Sequence, residues 1–369
     1  MNSDYDLAIV GGGISGIGVA YQASKKGLKL VLFDKSKLGS KTSDNSLRII
    51  HGGFRYLQSL NIFRTIESIK AQRDLINDFP DLIKPLNCFM PLNRFGLKSY
   101  FPAMLGAFLY SCLLYIFKAD ITKPKVISAI QFDQSYPALK GKAKYGALQW
   151  TDALLEDNHK LVQKHIDEVI SQNGEIKEDS VVSKIIREKD NFKILYNQGL
   201  EVTAKYVVNT AGAWINKFEF SGIEPSFKNV LWTKAVNFVV PKNELLNSGF
   251  GVTSKEGRLY FVVPREDSLS IGTFYYPFTS EPDSLNLSEE ELDIALSSFN
   301  ETIPELKVLK NQIIKTEIGV LPALSYSQNN IMLYGSEKII NNNNYIEVLS
   351  TKYTTFREQG KKVLKLISR

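Results

Sequence analysis

The chain has 369 residues, 44% of them hydrophobic and 23% charged, a balance that excludes a disordered chain and fits an ordinary globular protein. Its 45 Lys and Arg against 39 Asp and Glu give a net charge of +6 spread along the chain. That distribution suits an anionic small molecule or surface but lacks the basic stripe of a nucleic-acid binder, so no nucleic-acid partner is expected.

The length exceeds the usual domain size of about 100–200 residues, and two domains are the default. Cys88 and Cys112 stand far apart and outside any CxxC spacing, which encodes no disulfide framework. His51, His159 and His165 lack carboxylates at ligand spacing, so no metal is expected. Residues 1–6 lead directly into an apolar strand without a basic region and cleavage site, and a cytoplasmic location is the expectation.

In chain order, an apolar strand over 7–10 precedes Gly11-Gly12-Gly13-Ile14-Ser15-Gly16 and a helix that Gly27 closes. A second strand over 28–33 ends in Asp34, which completes a βαβ dinucleotide-binding unit with an acid 18 residues after Gly16. Gly11 permits the tight turn, Gly13 lets backbone approach a pyrophosphate, and Gly16 lets helix and strand pack closely. The helix N-terminus, with Ile14 and Ser15, faces the phosphates, and Asp34 accepts from the ribose hydroxyls. This loop alone does not choose between FAD and NAD.

An amphipathic helix is expected over 63–79. Residues 99–117 carry no charge, yet Pro102, Gly106, Ser111 and three tyrosines dilute the run, so a buried or membrane-surface helix is expected rather than a span. Another helix covers 154–172 with Ile166, Val169 and Ile170 on one face. Strands alternate over 181–206 and lead to Val207-Val208-Asn209-Thr210-Ala211-Gly212. Residues 229–272 read as an antiparallel sheet, 341–344 as a polar loop, and 354–367 as a closing helix. Nucleotide-binding elements therefore sit at the beginning, middle and end. The expectation is an α/β fold, with a discontinuous Rossmann-like domain (1–85, 145–215 and 330–369) and an antiparallel-sheet α+β substrate or cap domain (86–144 and 216–329).

The stretch Thr42-Ser43-Asp44-Asn45-Ser46-Leu47-Arg48-Ile49-Ile50-His51-Gly52-Gly53-Phe54-Arg55-Tyr56-Leu57 resembles the segment of FAD-dependent glycerol-3-phosphate dehydrogenases that runs along the flavin pyrophosphate and under its ring. These enzymes belong to the D-amino-acid oxidase-like flavoprotein superfamily. Trp150-Thr151-Asp152-Ala153, residues 207–214 (VVNTAGAW), Phe261-Val262-Val263-Pro264 and Lys352-Tyr353-Thr354-Thr355-Phe356-Arg357 resemble further segments of that family, in the same order. The resemblance implies FAD as cofactor. It implies contacts to it from Lys35, Thr42, Ser43, Ser46, Arg48, His51, Gly52, Val182, Ala211, Gly212, Trp214, Gly319, Lys352, Tyr353 and Thr354, beside the glycine-loop residues and Asp34. It also implies a small-molecule substrate, quinone or oxygen as electron acceptor, and peripheral contact with the cytoplasmic membrane.

Histidine suits a base near neutrality, so His51 is a candidate to accept a hydroxyl proton; a satisfied histidine in a glycine-rich turn is the plain alternative. Arg55 offers a fork for a phosphate or carboxylate, or a structural ion pair. Lys352, before a hydroxyl-capped helix start, would add charge where a reduced flavin becomes negative. Tyr56 and Thr273 are candidate hydrogen-bonders to substrate.

Three departures from the family bear on the substrate. Leu321 stands where the family has a phosphate-holding arginine, Asn237 where a histidine is usual, and Phe274-Tyr275 where Thr and Asp are usual. Ser350-Thr351 also replace a Gly-Gly pair, and the chain reads as a short member without the family's helical C-terminal domain. The expected reaction is oxidation of a secondary alcohol of a small polyol, such as glycerol 3-phosphate. An amine, amino-acid or carbohydrate oxidase is the alternative, favoured by Leu321 and the Phe274-Tyr275-Tyr276 cluster, and a flavin-binding protein without turnover is a third.

Overall fold

The computed structural model describes residues 3–57, 60–242, 246–255, 257–327 and 330–367. At the centre of the first sheet, the strand Tyr5–Val10 pairs in parallel with Leu30–Phe33 on one side and Leu200–Asn209 on the other. Leu7, Ala8, Ile9 and the whole of Leu30–Phe33 are fully buried, the continuous apolar run that a parallel strand covered on both faces requires. Three helices, Ile14–Lys25, Asn158–Ser171 and Phe356–Ile367, close one face through Ile17, Leu161, Ile166 and Val363. The first and last of these cross closely because of paired glycines: a Cβ on Gly18 would lie 2.3 Å from the Phe356 carbonyl oxygen.

The second sheet is built on the antiparallel block expected from 229–272, with Leu231–Pro241 between Ser268–Phe278 and Lys315–Ser327. It extends further than the sequence suggests. Ile83–Pro91 and Ala147–Leu155 pair along their length, and Ile49–Ile50 pairs at the edge, so the segment leading to His51 belongs to this sheet. The α/β class expected from sequence is the one observed, with the two sheets meeting at the His51 turn.

Several boundaries differ. The helix expected over 154–172 begins at Asn158, because Leu154 and Leu155 finish a strand and Asp157 caps the helix by accepting from the Lys160 amide. Ile170 is exposed, off the stripe that buries Ile166 and Val169. The closing helix starts at Phe356 rather than Thr354. Asn343 and Asn344 adopt positive φ in the turn joining Lys338–Asn342 to Tyr345–Leu349, a conformation asparagine tolerates. Residues 99–117 hold a 17-residue helix, Tyr100–Ile116. No helix among the described residues is long and apolar enough to cross a membrane.

Candidate active site

A cavity of about 560 Å³ runs from the glycine loop to the second sheet. At one end, Gly13 precedes the first helix without capping it by a side chain, and no acid occupies the first turn. The positive end of a helix with no acid in its first turn favours an anion, and Gly11, Gly13, Ile14 and Ser15 line the cavity there. Gly11 has φ +101°, and a Cβ on Gly16 would lie 1.9 Å from the Gly11 carbonyl oxygen, so both positions require glycine. Asp34 accepts from the Gly12 amide at 2.7 Å and from the Ser36 amide at 2.8 Å, which fixes the loop. Ser43 accepts from the Ile14 amide at 2.9 Å.

Lys35 lies over the Trp214 ring and pairs with Asp283, to which the Trp214 indole also donates at 3.0 Å. This trio ties the first sheet to the second across the cavity mouth. Thr42 accepts from the Val320 amide at 3.0 Å and its hydroxyl donates to the Val320 carbonyl at 3.3 Å. Arg48, at φ +59°, donates to the Glu156 carbonyl at 3.0 Å and lies 3.6 Å from Asp44.

At the other end, His51 Nδ1 lies 2.9 Å from Asp152 Oδ2, and Asp152 Oδ1 accepts from the Gly52 amide at 2.8 Å. Asp152 is almost wholly buried. A carboxylate accepting at Nδ1 holds the proton there and leaves Nε2 with its lone pair. The His51 amide donates to the Thr354 hydroxyl at 2.9 Å, which ties the His51 turn to the segment that leads into the last helix.

Three cations face this end: Arg55, Arg64 and Lys352. Among the described residues none of the three forms an ion pair, while the nearby Glu67 and Glu337 are both taken by Lys362. Arg64 and Lys352 flank the Tyr56 ring, at 4.4 and 5.9 Å from its centroid. Burial, and secondarily the guanidinium groups of Arg64 and Arg55, pull the Lys352 ammonium down to about 8. The arrangement is short of negative charge and open to an anion.

Of the sequence candidates, Gly11, Gly13, Ile14, Ser15, Asp34, Lys35, Thr42, Ser43, Ser46, Arg48, His51, Arg55, Tyr56, Val182, Ala211, Gly212, Trp214, Thr273, Lys352, Tyr353 and Thr354 all line this cavity. Gly16, Gly52 and Gly319 stand behind the wall. A Cβ on Gly52 would meet the Tyr110 hydroxyl at 2.2 Å, and one on Gly319 would meet Thr42 at 2.9 Å.

The departures sort differently from the sequence expectation. Leu321 and Tyr275 do line the cavity. Phe274 does not: it packs in the second core against Phe238 and Tyr260, and Tyr276 donates to the Glu291 carbonyl. The aromatic cluster is therefore a core feature with one member, Tyr275, in the site. Asn237 is buried and accepts from the Thr273 hydroxyl at 2.9 Å.

Sequence reasoning missed Asp152, Arg64 and Asp283. His51 and His159 both have carboxylates near them, Asp152 and, at 3.5 Å, Asp44, brought there by the fold from distant segments. A signal for Asp152 existed, since it is the one charge in the otherwise apolar and polar-neutral strand Ala147–Leu155, and a buried acid needs a partner.

The sequence profile of the family described as FAD dependent oxidoreductase matches residues 6–346. The chain belongs to this family. FAD is accordingly its cofactor, and the residues present fit it: an acid-free helix start behind glycines for the pyrophosphate, and a cationic end beside His51. The chain is similar to the glycerol-3-phosphate dehydrogenase of Synechocystis sp., 27% identical over 98% of this chain and 70% of that one. The aerobic glycerol-3-phosphate dehydrogenase of Staphylococcus aureus is 26% identical over 88% of this chain, which spans 59% of its length. In fold it resembles the glycerol-3-phosphate dehydrogenase of Bacillus halodurans complexed with FAD, at TM-score 0.74 and 19% identity over 99% of this chain and 64% of that one.

Proposed function

We propose that this FAD-dependent oxidoreductase oxidises a secondary alcohol of a small phosphorylated polyol, glycerol 3-phosphate or a close relative. The reading rests on the three cations Arg55, Arg64 and Lys352, which face the same cavity end as the His51–Asp152 pair. FAD, when bound, supplies the acceptor for a hydride equivalent, with quinone or oxygen as the final electron sink.

His51 takes the hydroxyl proton of the substrate at Nε2 as the carbinol C–H bond gives up its electron pair, and the product is a ketone. Asp152 acts through His51 by keeping its proton on Nδ1. Arg55 and Lys352, with Arg64 beside them, hold the phosphate, for which a guanidinium fork and an ammonium are well suited. Tyr56 and Thr273 orient the remaining hydroxyls. The glycine loop, Asp34, Ser43, Ala211 and Gly212 hold the adenosine and pyrophosphate, and the start of the last helix with Tyr353 holds the ring end. Residues 1–85, 145–215 and 330–369 act as the cofactor unit in this reading, with 86–144 and 216–329 as the substrate unit. A location at the cytoplasmic face of a membrane belongs to the same reading.

Anaerobic mixing of the FAD-loaded protein with glycerol 3-phosphate tests it, and loss of the visible flavin absorbance is the expected result. Bleaching by glycine or D-amino acids but by no polyol phosphate would move the assignment to an amine or amino-acid oxidase.

A further inference from the structure

The helix Tyr100–Ile116 is apolar on every side yet buries only one stripe, Ala103, Ala107, Tyr110 and Leu114. Its other faces present Phe101, Met104, Leu105, Phe108, Tyr115 and Ile116 to solvent, with Phe101 75% and Phe108 64% exposed. The turn leading into it adds Phe95 and Leu97, both exposed. Scattered apolar residues on a surface are ordinary, whereas a contiguous apolar helix face marks an interaction surface.

Charge decides what covers it. Between Asp81 and Asp120 the chain has no acid and four basic residues, Lys84, Arg94, Lys98 and Lys118. Arg94 and Lys118 flank the helix at its two ends and are exposed. A second copy seated face to face would bring these cations near their own images, with no carboxylate on the segment to offset them. Anionic lipid headgroups supply the opposite charge, while the acyl layer takes the aromatic and aliphatic face.

The length of the helix fixes how it sits. Seventeen residues rise about 26 Å, less than the roughly 30 Å of a bilayer core. The helix is also anchored to the protein: Tyr110 donates to the Gly52 carbonyl at 2.8 Å and packs edge-on against Phe54. It cannot tilt into a membrane without breaking the turn that carries His51.

We infer that the Tyr100–Ile116 helix is a docking surface for an anionic bilayer, lying flat in the headgroup region and bringing the His51–Gly52 turn to the membrane face. This deepens the membrane part of the proposed function and is independent of the substrate. Vesicle binding that fails while polyol phosphates still bleach the flavin overturns the docking surface alone.

The test is co-flotation of the FAD-loaded protein with phosphatidylcholine vesicles, with and without phosphatidylglycerol, alongside light scattering for oligomeric state. Binding to the phosphatidylglycerol vesicles is expected, weakened by salt. Phe101→Ser with Phe108→Ser, both exposed positions away from the site, abolishes it with FAD content and flavin reduction unchanged. Arg94→Gln and Lys118→Gln each weaken it about fivefold. The inference is overturned if the wild type stays unbound on both vesicles, or if the double Phe variant binds as before. It is equally overturned if that variant merely converts a dimer to a monomer without any vesicle binding by the wild type.

Discussion

Asp152 is the residue on which the chemistry of His51 turns. In Asp152→Asn the new amide oxygen can still accept from Gly52, but its NH₂ faces Nδ1 and drives the proton to Nε2, the wrong tautomer for a base. The expected result is a fall of about 10²–10⁴-fold in the rate of flavin reduction, with FAD content and substrate affinity near wild type. His51→Gln should fall by a similar factor, and the double variant by little more, since the two act as one unit. Single-turnover stopped-flow measurements read all three.

Lys352 makes a pH prediction. Its ammonium is held at about 8, below the ordinary lysine value of about 10.4. The group is charged below pH 8 and neutral above it, so affinity for a phosphorylated substrate or an anionic competitor should decline as pH rises through 8. Lys352→Arg should keep the affinity and remove the step. In the ligand-free protein the unfolded chain holds this proton more tightly than the folded one, so the Lys352 contribution to stability rises with pH between about 8 and 10. Thermal shift with and without inorganic phosphate across that range checks the sign.

Among the elements, the glycine-loop helix was legible from sequence because each of its constraints is local. Gly16 faces the Gly11 carbonyl and the Thr210 hydroxyl, with a Cβ placed 1.9 and 2.7 Å from them. Gly16→Ala should therefore cost about 1–3 kcal/mol and lose FAD on purification, read by melting temperature and the flavin-to-protein absorbance ratio.

The helix Asn158–Ser171, packed against the last helix, carries a second pH dependence that no local pattern announces. His165 is fully buried, donates from Nδ1 to the Leu161 carbonyl and accepts from Arg357 at Nε2, 2.9 Å away. Burial first, then the Arg357 charge, lowers its pKa to about 4. The unfolded chain binds this proton below about 6.5, so stability should fall as the pH drops from there towards 4 and level off below. The loss amounts to roughly 3 kcal/mol if the full shift is realised. In His165→Gln, denaturant melts should show a flatter profile over that window. The strands Ile83–Pro91 and Ala147–Leu155 escaped sequence reading for a related reason. Residues 92–146 intervene between them, and only the fold brings them together.

For the whole molecule, the cofactor end of the cavity was readable because a helix N-terminus, three glycines and an acid at fixed spacing make one local device. The substrate end was not. Arg64 comes from an ordinary amphipathic helix, Asp152 from a strand of the second sheet, and Tyr275 and Leu321 from two others, so their convergence is a property of topology. The same topology explains why Phe274, flagged beside Tyr275, faces the core: neighbours on a strand point to opposite faces.

The central claim, that the cationic end of the cavity selects a phosphorylated polyol for oxidation, is tested most directly by anaerobic flavin reduction with glycerol 3-phosphate and with glycerol, in wild type and Arg55→Met. Wild type should be half-reduced at a far lower concentration of glycerol 3-phosphate than of glycerol, and Arg55→Met should raise the glycerol 3-phosphate requirement at least tenfold while leaving that for glycerol unchanged, as expected for loss of about 1.4 kcal/mol or more. Equal reduction by the two polyols in wild type, or no response of the glycerol 3-phosphate titration to Arg55→Met, would contradict it.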